Sequence, residues 1–212
     1  VVDATRTLFA LIGITAVLLY ALPAPLDTIH RQIAIAHSTD SAGANYVAGT
    51  IQAKEEPETP AAREQRAVAE FVAKRYRVAE EAAARFVTAA YRAGTEQRVD
   101  PLLILAVIAV ESRFNPVAES VYGARGLMQV IPKFHLEKLA SLGGQGALLE
   151  PDANIQIGAQ ILRQYLRRFG ETGTALQMYA GAFDDANSAY ASKVLAERSR
   201  IEQMLVRVRR AA

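Results

Sequence analysis

The chain of 212 residues is long enough to build one ordinary hydrophobic core together with accessory segments. Its 24 basic and 22 acidic residues leave a net charge of +2 without a long run of Lys or Arg, so no nucleic-acid partner is expected. The chain has no cysteine, which excludes disulfides, thiol catalysis and cysteine-ligated zinc sites.

The first predicted element is an apolar N-terminal segment. No charged residue occurs between Arg6 and Asp27, and an apolar run extends from Leu8 to Leu22. Secretory signals have an apolar region of about 7–15 residues and membrane-spanning helices have about 20, so this run lies between the two classes. We predict that residues 1–26 are a signal peptide or a membrane anchor. A buried core helix is the less favoured alternative, because the run is terminal.

A flexible linker is predicted for residues 27–60. The residues from Ser38 to Pro60 are mostly small and polar, include prolines, and show neither a helical nor a strand period.

Residues 61–94 are predicted to form one long amphipathic helix that ends near Gly94. The apolar residues at helical spacing are Val68, Phe71, Val72, Ala79, Ala83, Phe86, Val87 and Ala90. We expect this helix to dock on the following domain, although a coiled coil is an alternative.

Residues 95–212 are predicted to form a compact all-α domain. Asp100 and Pro101 have the preferences of a helix cap and a first helical residue, and nine apolar residues follow from Leu102 to Val110. A helix that is apolar on every side belongs at the centre of a domain. A second helix is predicted in "PDANIQIGAQILRQYLRRFG", and no segment has the pattern of a strand.

Glu111 is the candidate catalytic residue. It ends the apolar run, where the helix dipole disfavours a negative charge, and Val107 and Ile108 lie one turn before it. Both effects raise the pKa of a carboxyl group, and a carboxyl that stays protonated near neutral pH can donate a proton to a glycosidic oxygen. The residues alone favour the ordinary alternative, a carboxylate at the helix end that faces water or pairs with Arg113.

Common metal, nucleotide and serine-hydrolase motifs do not occur in the sequence: HExxH, GxxxxGK, GxGxxG and GxSxG are all missing. The three histidines, His30, His37 and His135, are expected to face solvent or to be satisfied within the fold. We therefore predict no metal site and no cofactor.

The stretch "ESRFNPVAESVYGARGLMQVIP", residues 111–132, resembles the signature of the lytic transglycosylase family whose SLT catalytic domain has a goose-type lysozyme-like fold. The matching positions are Glu111, Ser112, Phe114, Pro116, Ala118, Ser120, Gly123, Ala124, Gly126, Leu127, Met128, Gln129 and Pro132. Three later segments also resemble the family: "NIQIG" from Asn154, the tyrosine-containing "ALQMYAGAF" from Ala175 and "YASKVL" from Tyr190. The resemblance covers residues 95–200.

This resemblance implies roles for five residues. Glu111 would be the single catalytic acid and base, and Ser120 would orient it or the substrate. Met128 and Gln129 would provide the floor and hydrogen bonds of a glycan groove, and Tyr179 would lie near the catalytic carboxyl. The sequence departs from the family at residue 180, where alanine replaces the usual asparagine after the tyrosine.

The resemblance further implies cleavage of the β-1,4 bond between MurNAc and GlcNAc in peptidoglycan, with formation of 1,6-anhydro ends. The expected location is the bacterial periplasm or cell envelope, with contact to the inner membrane if the N-terminal segment is retained, and an envelope machine is a possible partner. One alternative is a lysozyme-type hydrolase that uses Glu119, Asp184 or Asp185 as a second carboxylate. Another is a degenerate peptidoglycan-binding component, suggested by Ala180 and the extra helix.

Overall fold

A computed structural model of the chain describes residues 58–182, 185 and 187–211. The predicted N-terminal signal or anchor and nearly all of the predicted linker lie outside these residues, as does Asp184. The helices are α1 (Pro60–Tyr76), α2 (Glu80–Gln97), α3 (Pro101–Glu111), α4 (Leu136–Ala140), α5 (Pro151–Phe169), α6 (Thr172–Tyr179) and α7 (Ala189–Ala211). Short 3-10 helices lie at Pro132–Phe134 and Gln145–Leu149.

The described part of the chain has no extended strand, only isolated β-bridges in the loop after α3. This confirms the prediction of an all-α domain. Among these residues we find no helix with both the length and the apolar character needed to cross a membrane.

Helix α3 forms the centre of the domain. Every residue from Leu103 to Ala109 is buried, and α2 and α7 pack against it. The helix begins as predicted: Asp100 Oδ1 accepts a hydrogen bond of 2.9 Å from the N–H of Leu102, and Pro101 occupies the first turn. The central position follows from the absence of any polar face on this segment.

The prediction of a single long helix over residues 61–94 is wrong, because the structure has two helices there. Arg77 ends α1 in the left-handed conformation with φ of 58°, and its N–H donates to the carbonyl of Ala73. The helical spacing of the apolar residues continues across the break, which explains why the sequence pattern predicted one helix. The break lets α1 fold back against α2, so that both apolar faces reach the core.

Helix α2 also continues beyond the predicted cap at Gly94. It ends at Arg98, which is left-handed with φ of 54°. Gly94 has a packing role instead, since a Cβ atom at this position would lie 2.8 Å from the carbonyl oxygen of Val99. The glycine therefore permits the close turn between α2 and α3.

A buried amide fixes the loop between α3 and α4. Asn154 of α5 accepts a hydrogen bond of 2.8 Å from the N–H of Met128 and donates to the carbonyls of Arg125 at 2.8 Å and Leu148 at 2.9 Å. Gly126 lies directly over this amide with φ of 75°, and a Cβ atom there would be 2.2 Å from Asn154 Nδ2. Only glycine allows the loop to approach α5 so closely.

The contact between Gly158 and Met128 provides a test of this packing. A methyl group at Gly158 would lie 2.4 Å from the sulfur and 2.7 Å from the Cβ atom of the fully buried Met128. The Gly158→Ala substitution should lower the free energy of unfolding by about 1–2 kcal/mol, because overpacking outweighs the gain in helix propensity. Chemical denaturation measures this, with Gly146→Ala as the control because no atom lies within 4 Å of its added methyl. Equal stability of the two variants would contradict the packing described.

Candidate active site

Glu111 is the last residue of α3 and lies half-buried where the helix reaches a cavity. Its Oε1 accepts a hydrogen bond of 2.6 Å from the hydroxyl of Tyr190, the second residue of α7. Burial raises the pKa of Glu111, and the hydrogen bond from Tyr190 only partly offsets this, so the pKa remains above its ordinary value. The C-terminal end of the α3 dipole acts in the same direction. The carboxyl is therefore suited to hold a proton.

Two tyrosines, Tyr179 and Tyr190, lie near the carboxyl. Tyr179, at the end of α6, donates a hydrogen bond of 2.8 Å to the carbonyl of Met128, and the edge of its ring meets Tyr165 with 6.4 Å between ring centroids. Burial, followed by the nearby charge of Glu111, raises the pKa of both Tyr179 and Tyr190. Both hydroxyls therefore remain protonated donors at neutral pH.

The cavity beside Glu111 has a volume of about 680 Å³, which suits a small-molecule or sugar ligand. Four of the five residues predicted from the sequence line it together: Glu111, Ser120, Gln129 and Tyr179. The other lining residues are Tyr122, Ala124, Val130, Ile131, Phe134, His135, Ile161, Tyr165, Met178, Ala180, Gly181 and Tyr190.

Met128 does not line the cavity, contrary to the expectation that its side chain forms the floor of a glycan groove. The Met128 side chain has no exposed surface and packs against Gly158, where the absence of a side chain leaves room for it. Its backbone carbonyl still supports the site by accepting the hydrogen bond from Tyr179.

Ser120 and Gln129 belong to the loop that forms one wall of the cavity. Ser120 Oγ accepts hydrogen bonds from the N–H groups of Tyr122 and Ala124, which leaves its own proton free to donate. The Gln129 amide nitrogen donates to two loop carbonyls at 3.0 and 3.1 Å. Its amide oxygen is therefore the atom available to a ligand.

Several cavity residues were not predicted from the sequence. Tyr190 opens the "YASKVL" segment that resembles the family, but nothing in that segment indicates a contact with Glu111. Tyr122 and Phe134 stand at the cavity rim with 81% and 66% of their surfaces exposed. His135 also lines the cavity and is half-buried; burial, and to a lesser extent the charge of Lys138, lower its pKa.

Two of the alternative carboxylates lie apart from Glu111. Glu119 forms an exposed ion pair of 3.0 Å with Arg125. The Asp185 carboxylate accepts hydrogen bonds from the N–H groups of Asn187 and Ala189. Neither lines the cavity. In the described ranges, no three His, Asp or Glu side chains come together as a potential metal site.

The family model described as "Transglycosylase SLT domain" matches residues 88–199, more than half of the chain. The chain belongs to this family. Its matched segment contains α3, the loop fixed by Asn154 and all the residues that line the cavity.

The family relationship is supported by individual relatives. A protein of Enterobacteria phage PRD1 described as a transglycosylase is 38% identical over 49% of this chain and 39% of its own length. The soluble lytic murein transglycosylase of Salmonella typhimurium is 41% identical over 31% of this chain and 11% of its own length. The matches thus span less than half of either relative.

Among solved structures, the lytic transglycosylase Slt of Pseudomonas aeruginosa, studied as an inactive glutamate-to-glutamine mutant, superposes with a TM-score of 0.51. The match has 25% sequence identity and covers 56% of this chain and 24% of that chain. The predicted relationship to lytic transglycosylases and the predicted helical, lysozyme-like fold are confirmed.

The raised pKa of Glu111 predicts a pH-dependent stability difference between the wild type and Glu111→Gln. Because the folded protein holds this proton more tightly than the unfolded chain, ionisation of Glu111 destabilises the fold as pH rises above the ordinary value of 4.5. Glu111→Gln should therefore be more stable than the wild type at pH 7, with the gain vanishing below about pH 4. Denaturation at a series of pH values measures this, and a difference independent of pH would contradict it.

The hydrogen bond from Tyr190 stabilises the charged form of Glu111, so its removal should raise the pKa of Glu111 further. We expect Tyr190→Phe to show this in an NMR titration of ¹³C-labelled glutamate carboxyls, with Glu111→Gln used to assign the signal. Tyr179→Phe is the matched control, because its hydroxyl bonds to the Met128 carbonyl instead. An equal shift in both variants would argue against a specific role of Tyr190.

Proposed function

We propose that this chain is a peptidoglycan lytic transglycosylase that cleaves the β-1,4 bond between MurNAc and GlcNAc and leaves 1,6-anhydro-MurNAc ends. The observation that carries this proposal is the half-buried Glu111 carboxyl, held by Tyr190 in a cavity of suitable size for sugars. The relative from Salmonella typhimurium is a lytic murein transglycosylase, which supports the choice of polymer.

In the first step, protonated Glu111 donates its proton to the glycosidic oxygen as the C1–O4 bond breaks, while the MurNAc acetamido group assists at C1. In the second step, the Glu111 carboxylate takes the proton of the same sugar's C6 hydroxyl as O6 bonds to C1. This restores the protonated acid, so one residue serves both steps. The attacking hydroxyl belongs to the sugar itself, which gives it an entropic advantage over water.

The surroundings of Glu111 support a mechanism with a single carboxylate. Glu111 is the one carboxylate among the described residues that line the cavity, while Glu119 and Asp185 are engaged elsewhere. A glycosidase that uses water commonly needs a second carboxylate to activate it or to form an intermediate. The hydrolase alternative is therefore less well supported.

The aromatic rim gives the proposed substrate a binding surface. Tyr122 and Phe134 offer broad, exposed ring faces at the cavity mouth, and the ammonium group of Lys133 lies 4.8 Å from the Phe134 ring centroid. Aromatic rings bury much apolar surface at little entropic cost, so they are suited to hold the faces of sugar rings. Ser120 and Gln129 would add hydrogen bonds within the cavity.

We also propose that the chain acts in the periplasm or cell envelope. The support is the apolar segment within residues 1–26, which is predicted to be a signal peptide or membrane anchor, and the linker predicted behind it. Peptidoglycan is the proposed partner, and residues 95–212 form the proposed catalytic domain. Retention of the anchor would hold that domain at the inner membrane.

The decisive experiment compares wild type and Glu111→Gln on purified peptidoglycan. General acid–base catalysis contributes about 10²–10⁴-fold, so Glu111→Gln should clear peptidoglycan at least about a hundredfold more slowly. Gln keeps the size and hydrogen-bonding capacity of the side chain but cannot transfer the proton. Unchanged clearing by this variant would remove the catalytic assignment.

Mass spectrometry of the soluble products distinguishes the remaining possibilities. Anhydro-MurNAc ends are expected for the proposed reaction, whereas reducing MurNAc ends would identify a hydrolase. Binding without any cleavage by the wild type would instead favour a degenerate component, the alternative motivated by Ala180, which lines the cavity where the family usually has asparagine.

A further inference from the structure

A second cavity, which we call the basic groove, is lined by residues of α3 and α7, as the first is. It has a volume of about 640 Å³ and is bounded by the last turns of α1 and α3 and by the first half of α7. Four cationic side chains and one carboxylate line it: Arg75, Arg113, Lys193, Arg200 and Glu197. The cationic side chains thus outnumber the carboxylate by three.

The base of the basic groove is fixed by Glu197, whose side chain is only 8% exposed. It accepts a hydrogen bond of 2.8 Å from Arg75 Nε and further bonds from Tyr76 and Arg200. Burial opposes its ionisation, but these bonds hold the pKa of Glu197 below its ordinary value. Arg75 and Arg200 are therefore anchored by a charged carboxylate.

The other two cations have no such anchor. In the described part of the chain, no carboxylate lies within ion-pair distance of Arg113 or Lys193, and both side chains are exposed. Arg113 has φ of 53° and Phe114 has φ of 64°, an uncommon pair of left-handed residues. The ring of the buried Phe114 packs 4.8 Å from that of Tyr76, which holds this backbone in place. Arg113 therefore stands on a fixed backbone at the wall of the groove.

Chain connectivity places this charge within a few residues of the proposed catalytic carboxyl and of the tyrosine that binds it. Arg113 follows Glu111 by two residues, and Lys193 follows Tyr190 by about one turn of α7, an axial rise of about 4.5 Å. We propose that the basic groove binds the carboxylates of the peptides carried by the glycan strand held at Glu111. This inference rests on the proposed function. Guanidinium and ammonium groups recognise carboxylates through charge-assisted hydrogen bonds.

The test measures binding rather than cleavage, with Glu111→Gln as the parent protein so that strands stay intact. The groove variant adds Arg113→Gln and Lys193→Gln. The matched control adds Arg167→Gln and Arg207→Gln, which remove the same charge from exposed positions outside both cavities. The protein is captured on beads that carry immobilised glycan strands freed of phosphate polymers, either with their peptides or after removal of the peptides by an amidase.

We expect the groove variant to bind peptide-bearing strands about fivefold more weakly than its parent and peptide-free strands equally well, since two exposed ion pairs are lost. The control variant should bind both peptide-bearing and peptide-free strands as tightly as the parent does. Equal binding of the groove variant and the parent to peptide-bearing strands would overturn the inference, as would equal losses on both kinds of strand or no binding by the parent.

Lys193→Gln alone, which leaves the strained Arg113 backbone untouched, should show a smaller loss confined to peptide-bearing strands. Thermal unfolding verifies that each variant is folded. The proposed function is tested separately: it fails if the wild type releases no anhydro ends, whereas capture on immobilised strands requires no cleavage.

Discussion

The burial of α3 on all sides determines where the reactive group can lie. A helix without a polar face lowers its free energy only at the centre of the domain, so its last residue, Glu111, lies half-buried at the cavity instead of fully exposed. The packing of α6 and α7 then places Tyr179 and Tyr190 beside it. The apolar sequence of α3 therefore sets both the location of the carboxyl and its affinity for a proton.

The opposite wall of the cavity depends on hydrogen bonds rather than on apolar packing. The buried Asn154 amide makes three bonds that fix the loop bearing Ser120 and Gln129, and Gly126 and Gly158 allow the close approach. A buried amide with all its partners is directional in a way that apolar contact is not. The site thus joins a wall positioned by apolar burial to a wall positioned by specific polar contacts.

The sequence predicts those features that depend on neighbouring residues. The start of α3 follows from Asp100 and Pro101, and the resemblance brings together the residues that line the cavity with Glu111. The break at Arg77 was missed because a left-handed arginine has no sequence signal comparable to glycine. The bond from Tyr190 was missed because it joins residues 79 positions apart, and only tertiary packing determines it.

Helix α1 lies before the segment shared with the family, yet it supplies Val68 and Val72 to the core and packs against both α2 and α7. Removal of α1 would open apolar surface on both neighbours and leave Glu197 without Arg75 and Tyr76. The segment that the family model matches is therefore smaller than the part of the chain that must fold together. An excised domain has to begin at the cap of α1, Thr59, to retain its own interior.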